Sequence, residues 1–521
     1  MKSCIALLLL SGTICAGPAS AQESHSHPAP EKLGTVTFAT SCSPRVSRDF
    51  ERAVALLHSF AYTASEQAFR AVSVADPSCA MAHWGIAMSY FHQLWSPPGP
   101  IELKEGQAQV EQAAQLKVGT QRESQFIAAV AAYYHDYEHL PHPVRAKAYE
   151  DAMAVAAKSN PADTEVQVFY ALALIATAPP TDKSHANQKR AALILEPIYR
   201  QFPDHPGVAH YLIHDNDSTE LASHGLAAAR AYSKIAPSAP HALHMPSHIF
   251  TRLGLWDDSI ASNTAARAAA HQEGDVGEEL HAMDYLVYAY LQRDRQKDAE
   301  QVVAALASMN GLSASDFKVG YAATVMPVRL VMERHSWDAA GNLQVLPESA
   351  PHVAAVVYWA RAVAASRAGR PQGAGEDIAQ LVDCQQKAQL AGNPYWITQV
   401  NVLTREAKAW QLAATSQPDE AVQQMRQAAD EEDAVEKLPV TPGPIVPARE
   451  QLGDLLLTLH RPSEALREYQ ATLVDAPGRR GAQMGAAKAS RAMKEKRSAR
   501  APLEIMFKVI PRTGNEGAHL V

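Results

Sequence analysis

The feature that most constrains this chain is a repeat of about 34 residues, set in a sequence whose apolar residues recur at helical spacing. Alanine is abundant and the alternating patterns of strands are nearly absent. Repeats of this length form small units that bury their apolar face only against their neighbours. The sequence therefore predicts an all-α array of helix pairs.

The repeat is clearest near the two ends. Near the C-terminal end it comprises Leu452, Gly453, Leu456, Ala465, Tyr469 and Pro477, and near the start it comprises Ala53, Leu56, Phe69 and Pro77. Gly254–Ile260 and Asp294–Ala299 follow the pattern of a turn between two helices. These residues resemble the tetratricopeptide repeat (TPR) pattern. The resemblance implies a right-handed TPR-like α-solenoid of antiparallel helix pairs, whose first helices line a concave groove.

Four phrases also resemble a group of exported bacterial TPR proteins, a resemblance that implies no activity. They lie around Cys79 and begin at Ala176, His241 and Thr441. The predicted divisions of the array are N-terminal repeats at 46–160, central His-rich repeats at 161–309, degenerate repeats at 310–440, and a last repeat with a capping helix at 441–495. A basic tail is predicted at 496–521.

Composition excludes several classes of protein. The 521 residues carry a formal charge of −8, which argues against a nucleic-acid partner because phosphates require a basic surface. No phosphate-binding loop, Rossmann glycine signature, GxSxG elbow, HExxH zinc motif or CxxCH haem motif is present. Catalysis therefore has no support from a known motif, and enzyme activity is left open.

The first residues have the features of an export signal. Lys2 precedes the apolar run Ile5–Leu10, and Ala19–Ala21 form a small-residue cleavage site. We therefore expect a signal peptide at 1–21, a flexible leader at 22–45 and a periplasmic or secreted product without a membrane span. In that compartment Cys42 and Cys79 form a disulfide or remain buried thiols, and both interpretations stay open.

The TPR register places histidines towards the groove. With Gly254 at the inter-helix turn, His244 and His248 occupy the groove-facing positions that His210 and His214 occupy 34 residues earlier. Histidines at i and i+4 share one helix face and can bind one metal ion. Imidazole suits zinc or copper, so we expect a divalent metal held by His210, His214, His244 and His248, with Asp284 as a carboxylate ligand.

Two other interpretations of these histidines stay open, namely a polar groove that grips a peptide and plain packing between helices. Pro246 is expected to perturb the helix that contains His244 and His248. Further groove-facing residues are predicted at His58, Trp84, His92, His241, Arg252, His281, Glu450 and Asp454.

The sequence thus favours a TPR binding or scaffold protein with a metal site. Its expected partner is a peptide or an envelope protein in the groove. The alternatives are a metal-dependent enzyme or metal carrier, and a peptide-binding adaptor without metal.

Overall fold

The computed structural model describes residues 31–94 and 97–508, with side chains as far as residue 495. All the regular structure among these residues is helical. The first half contains α1 Ser47–His58, α2 Tyr62–Ala75, α3 Ala80–Phe91, α4 Pro100–Gln115, α5 Gln121–Tyr134, α6 His142–Ser159, α7 Thr164–Ala176, α8 Ala186–Gln201, α9 Pro206–Asp215, α10 Ala222–Ile235, α11 Pro240–His244 and α12 Pro246–Arg252. The second half contains α13 Trp256–Glu273, α14 Val276–Gln292, α15 Gln296–Ala307, α16 Phe317–Glu333, α17 Trp337–Ala340, α18 Pro351–Arg367, α19 Ala374–Ala391, α20 Pro394–Ala414, α21 Pro418–Asp433, α22 Ala448–Thr458, α23 Pro462–Asp475 and α24 Arg480–Lys508. Two 3₁₀ turns lie at Pro44–Val46 and Pro371–Gly373.

The helices pack as successive pairs with short connections, which makes neighbours antiparallel. A glycine of a first helix receives an aromatic ring of a neighbouring second helix, inside the pair at Gly453 and between successive pairs at Gly85. A Cβ atom added at Gly453 would lie 2.7 Å from the Tyr469 ring, and one at Gly85 would lie 2.4 Å from the Phe69 ring. The TPR-like helix pair predicted from the sequence is therefore confirmed.

The turns also follow the expected pattern. Gly254 has φ +68° between α12 and α13, and Asp294 has φ 58° between α14 and α15. Pro246 divides its repeat's first helix into α11 and α12, since proline lacks the N–H that would continue the helix. The amide of His248 instead donates to the carbonyl of Met245 at 3.1 Å, one residue closer than in an α-helix.

The first helices of the central repeats are buried on almost all sides, so the groove there is filled where the sequence predicts an open surface. Every residue of α9 is buried, and nearly every residue of α14. α1 packs against α9, and α24 packs against α14, although these helices are far apart in the sequence. The prediction of solvent-facing groove residues is wrong for most of them, because distant repeats cover the inner surface.

The segment before α1 is packed against the repeats. Leu33, Val36 and Phe38 are 7%, 8% and 3% exposed, and the amide of Thr35 donates to the carbonyl of Asp204 at 3.0 Å. The flexible leader predicted at 22–45 is therefore wrong for residues 33–42, because the apolar side chains there fill the N-terminal core. The predicted signal peptide lies outside the described residues.

Cys42 and Cys79 form a disulfide that ties this segment to the start of α3.

At the C-terminal end, α24 continues through residue 495 as far as Lys508, so the helix extends into the range predicted as a basic tail. Among the described helices, none combines the length and apolar character needed to cross a membrane.

The last repeat is held against the centre of the array by a fully buried arginine. Arg479 bonds to Glu450 at 2.6 Å and to Glu333 at 2.8 Å. Next to it, the indole N–H of Trp256 donates to the carbonyl of Gly478 at 3.3 Å. Burial raises the pKa of Glu450 to about 7, although Arg479 opposes the shift.

We predict that Arg479→Leu destabilises the protein by about 3–5 kcal/mol, because two buried carboxylates lose their cation. Thermal and denaturant unfolding would measure the change. The matched control is Arg480→Leu, since the neighbouring Arg480 forms an exposed pair with Asp294. That pair is expected to contribute less than about 1 kcal/mol. Equal effects of the two variants would contradict the role assigned to Arg479.

Candidate metal centre

Three consecutive repeats bring six buried histidines to one place in the interior. None of the six is more than 7% exposed. We call this set the histidine cluster; it consists of His210 and His214 on α9, His241 and His244 on α11, His248 on α12 and His281 on α14. Their ring nitrogens form two groups, each with its candidate ligand atoms within 4.8 Å of one another. The first triad is His210, His214 and His241, and the second triad is His244, His248 and His281.

In the second triad, two lone pairs face each other. His244 Nδ1 lies 2.6 Å from Asn263 Oδ1, and His248 Nδ1 lies 2.9 Å from Asp217 Oδ2. Both partners are acceptors, so both Nδ1 atoms carry the proton of a neutral ring. Each Nε2 then carries a lone pair, and the two Nε2 atoms are 2.9 Å apart.

The orientation of the Asn263 amide is set by its own helix. Asn263 Nδ2 donates to the carbonyl of Ser259 at 2.8 Å. Rotating the amide by 180° would place its oxygen against that carbonyl oxygen, which is unfavourable for two acceptors. The Asn263 oxygen therefore faces His244, and the protonation of His244 at Nδ1 follows.

The first triad shows the same division of roles between ring nitrogens. His210 Nδ1 donates to the backbone carbonyl of His58 at 2.7 Å. Its Nε2 is buried and has no hydrogen-bond partner among the described residues. His241 Nδ1 lies 3.1 Å from Glu278 Oε2, so it too bonds to an acceptor. Metal-binding histidines are usually oriented in this way, with one nitrogen donating to a carbonyl or carboxylate and the other free to bind.

Five rings of the cluster favour neutral imidazole. Burial lowers the pKa of four of the rings well below the usual 6.5, in His210, His214, His244 and His281. Burial also lowers the pKa of His248 to about 4, although Asp217 opposes the shift. Burial disfavours the Glu278 carboxylate, but Lys318 and His241 outweigh it and hold its pKa well below the usual range. At neutral pH these five rings are therefore ready to bind a metal without first losing a proton.

The structure brings together the four histidines of the predicted metal site, but it divides them between two groups. His210 and His214 belong to the first triad, whereas His244 and His248 belong to the second. α11 also contributes His241, and α14 contributes His281; the sequence assigns both to the groove only.

Asp284 belongs to neither triad, so its assignment as a ligand is not supported. Its Oδ1 accepts a hydrogen bond from Arg329 Nε at 3.2 Å, and both side chains are fully buried. A buried guanidinium requires an anionic partner. The Asp284 carboxylate therefore pairs with Arg329 on α16, although Asp284 lies only one helical turn from His281.

A separate histidine pair beside the cluster is satisfied by its own hydrogen bonds. Glu165 accepts from His58 Nε2 at 2.9 Å and from His205 Nε2 at 3.0 Å. The remaining nitrogen of His58 accepts from Tyr211 Oη at 2.9 Å, and that of His205 accepts from the amide of Val208 at 3.3 Å. Because every ring nitrogen has a partner, this group stabilises the contact between α1, α7 and α9 and has no lone pair to offer.

Other predicted groove residues serve the fold. Trp84 is fully buried among the rings of Phe38, Phe69, Phe126 and Phe169. His92 ends α3 with φ 46°, and its ring lies 4.4 Å from that of Tyr62.

The two carboxylates predicted at the C-terminal end are also engaged by the protein. Asp454 accepts a hydrogen bond from Tyr469 Oη at 2.7 Å, and Glu450 is paired with Arg479. They do not form an open acidic surface.

A cavity of about 470 Å³ is lined by residues that contact the partners of the second triad. Two of the residues that line it, Arg252 and Lys437, bind Asp217, each at 2.9 Å. Asp217 in turn orients His248. The hydroxyl of Tyr285 lies 3.4 Å from His248 Nε2. It donates a hydrogen bond, at 3.2 Å, to the backbone carbonyl of Thr441, which lines the cavity. The side chains of Asp217 and Tyr285 therefore link the lining of this cavity to His248.

Sequence reasoning missed the residues that orient the rings, namely Asp217, Asn263 and Glu278. Asp217 lies in the loop after α9, and Asn263 lies on the second helix of its repeat. A pattern based on first-helix positions does not include them. Only Glu278 could be inferred, because it precedes His281 on the same helix.

No family model and no curated protein sequence matches the chain. Three solved helical-repeat structures are similar to it over most of its length. The TPR domain of P58(IPK) is 12% identical, covers 87% of this chain and 99% of its own, and has a TM-score of 0.22. A monomeric mutant of IFIT1 with Gppp-AAAA is 12% identical, covers 87% and 96%, and has a TM-score of 0.34. Naa15/Naa10 bound to HypK-THB is 11% identical, covers 86% and 67%, and has a TM-score of 0.23. These superpositions are loose, so the assignment of the repeat depends on the helix pairs of the chain itself.

The buried imidazoles predict a proton uptake on unfolding. Because the pKa of His281 is lowered by burial, the unfolded chain binds a proton below pH 6.5 that the folded chain does not bind. The contribution of His281 to stability is therefore complete above pH 6.5 and is lost as the pH falls. At pH 5.5 the metal-free parent should take up about one proton more on unfolding than His281→Leu does.

The measurement is the proton uptake of an unbuffered sample unfolded in guanidinium chloride. Comparison with the variant cancels buried acids that titrate in the opposite direction, such as Glu432, whose pKa burial raises to about 8. Exposed His224 provides the control, since His224→Leu should leave the uptake unchanged. Equal uptake by the parent and His281→Leu would show that His281 is already protonated in the folded state.

Proposed function

We propose that this protein is a TPR-like scaffold that binds a metal ion, zinc or copper, between the imidazoles of the second triad. The observation that supports this most strongly is the 2.9 Å separation of His244 Nε2 and His248 Nε2. Two nitrogens bound to one ion at about 2.0–2.1 Å lie about 3 Å apart when they subtend roughly a right angle. A cation between them converts an unfavourable contact of lone pairs into two bonds.

A shared proton is the simplest alternative to a metal. It would require one of the two rings to become an imidazolium, and burial opposes that charge in both rings. A changed tautomer is the second alternative. It would place an unprotonated Nδ1 against the oxygen of Asn263 or of Asp217. The contact between two lone pairs would then occur at Nδ1 instead of at Nε2.

The surrounding side chains support a role in holding metal. Asp217 orients His248, and it is fixed in turn by Arg252 and Lys437. Such partners of a metal-binding histidine set its tautomer and its ring direction. Because the candidate ligand atoms are nitrogens only, the site suits zinc or copper, whereas magnesium and calcium prefer oxygen.

A peptide-binding groove along the first helices has less support. Its predicted residues, among them His58, Trp84 and His241, are at most 3% exposed. A protein partner, if one binds, would use the outer faces of the repeats or the 470 Å³ cavity.

The metal content of the purified protein tests this proposal. The mature chain without a His-tag is stripped, loaded with zinc or copper, passed through a desalting column and analysed by elemental mass spectrometry. The parent should retain metal, and the double variant His244→Ala/His248→Ala should lose the ion held by the second triad. This loss is expected because two of the three candidate nitrogen ligands of that triad are removed.

A matched double variant removes two histidines from the surface instead. His224→Ala/His271→Ala should retain as much metal as the parent, because both side chains are exposed. A parent that retains neither zinc nor copper would refute the proposal. So would a His244→Ala/His248→Ala variant that is folded by circular dichroism and retains the metal of the parent.

We also propose export to the periplasm or the medium, which the sequence of residues 1–21 and the Cys42–Cys79 disulfide support. The expected mature product begins near Gln22. Non-reducing peptide mapping should find Cys42 linked to Cys79, and Cys384 should react with alkylating reagents only after unfolding because it is buried. An intact N-terminus in the purified protein, or free Cys42 and Cys79, would contradict export.

A further inference from the structure

We infer that the histidine cluster is a dinuclear centre, in which the first triad binds a second metal ion beside the one held by the second triad. This inference rests on the proposed metal binding of the second triad and adds a second site. Its evidence comes from the first triad alone, from the separate orientation of the two triads and from their spacing.

The first triad has its own ligand atom prepared for binding. His210 is fully buried, and the donation from its Nδ1 to the His58 carbonyl leaves Nε2 as the nitrogen with the lone pair. A buried acceptor without a partner is costly, about 1–3 kcal/mol, so the protein gains by filling this position. His214 and His241 offer nitrogens within 4.8 Å of that position.

The two triads are oriented by different residues. In the first triad, the His58 carbonyl and the Glu278 carboxylate accept from His210 and His241. In the second triad, Asn263 and Asp217 accept from His244 and His248. No orienting residue is shared between the triads, so each can fix its rings independently. One site spread over six imidazoles would not require a separate pair of orienting groups for each triad.

The neighbouring group of histidines provides an internal comparison. His58 and His205 are as buried as the triads, but Glu165 and other partners satisfy all their ring nitrogens. Burial of histidine in this fold is therefore compatible with complete hydrogen bonding. The lone pair of His210 is a specific feature of the first triad.

The triads are adjacent without being merged. The His214 and His248 rings are 6.0 Å apart between centroids, and the His241 and His244 rings are 6.1 Å apart. Inside the triads the ring centroids are 4.3 to 6.4 Å apart, so the ring centres alone do not separate the two groups. The separation lies in the ligand atoms, which come within 4.8 Å of one another in two sets of three.

The stoichiometry of zinc binding tests the inference. Metal-free full chain is titrated with zinc chloride and followed by native mass spectrometry. The parent should bind two zinc ions. His214→Leu in the first triad and His281→Leu in the second should each bind one, and the variant with both changes should bind none with comparable affinity.

Two further variants guard against loss of the fold, because they keep all six imidazoles. Glu278→Gln removes the carboxylate that orients the first triad, and Asp217→Asn removes the one that orients the second. Each should weaken one of the two bound ions by about 10–100-fold and leave the other unchanged.

The outcomes separate the two proposals. Two ions in the parent and one in each single-triad variant support the dinuclear centre. A parent that saturates at one ion overturns it but leaves the proposed metal site intact, and a parent that binds none overturns both. Binding of two ions by His214→Leu would also overturn the dinuclear centre, since the second ion would then lie outside the first triad.

Discussion

Polar groups on the first helices of the central repeats have to find their partners inside the protein, because those helices are almost entirely buried. The closure of the array creates this constraint. α1 packs on α9, and Arg479 joins the last repeat to Glu333 in the middle of the chain. A polar side chain that would face solvent in an open solenoid must be paired here, or its burial costs free energy.

Most of the inner polar groups meet this requirement with partners from distant repeats. Asp284 pairs with Arg329, and Glu165 pairs with His58 and His205. These groups fix how the repeats are stacked, since a shift of one helix would leave a charge or a ring nitrogen buried without a partner. The facing Nε2 atoms of His244 and His248 are an exception within the part of the chain that the structure describes.

The helix pairs and the position of the cluster could be predicted from the sequence, since both depend on local spacing. The 34-residue offset relates His210 to His244 and His214 to His248, and the structure indeed gathers these four side chains. The division into two triads could not be predicted. It depends on how far each helix rotates when Pro246 interrupts its repeat, and on long-range partners such as Asp217 and Glu278.

Closure of the array could not be predicted from the sequence either, because no sequence pattern marks the residues that produce it. Arg479 follows an ordinary inter-repeat turn, and Phe38 lies in a segment with no helical pattern, yet both are at most 3% exposed. Spacing within a repeat predicts which face of a helix is apolar, but the total curvature of the array depends on small rotations between neighbours.

The energetic cost of the histidine cluster argues that it is kept for a purpose other than stability. Leucine or methionine at these positions would fill similar space without placing polar nitrogens in the core. The His58, Glu165 and His205 group shows that this chain can satisfy buried imidazoles completely. In the triads, by contrast, the outward nitrogens of His210, His244 and His248 donate to acceptors, and the inward nitrogens of the same rings carry the lone pairs. Rings that are fixed from outside and left basic on the inside have the arrangement expected of ligands rather than of packing.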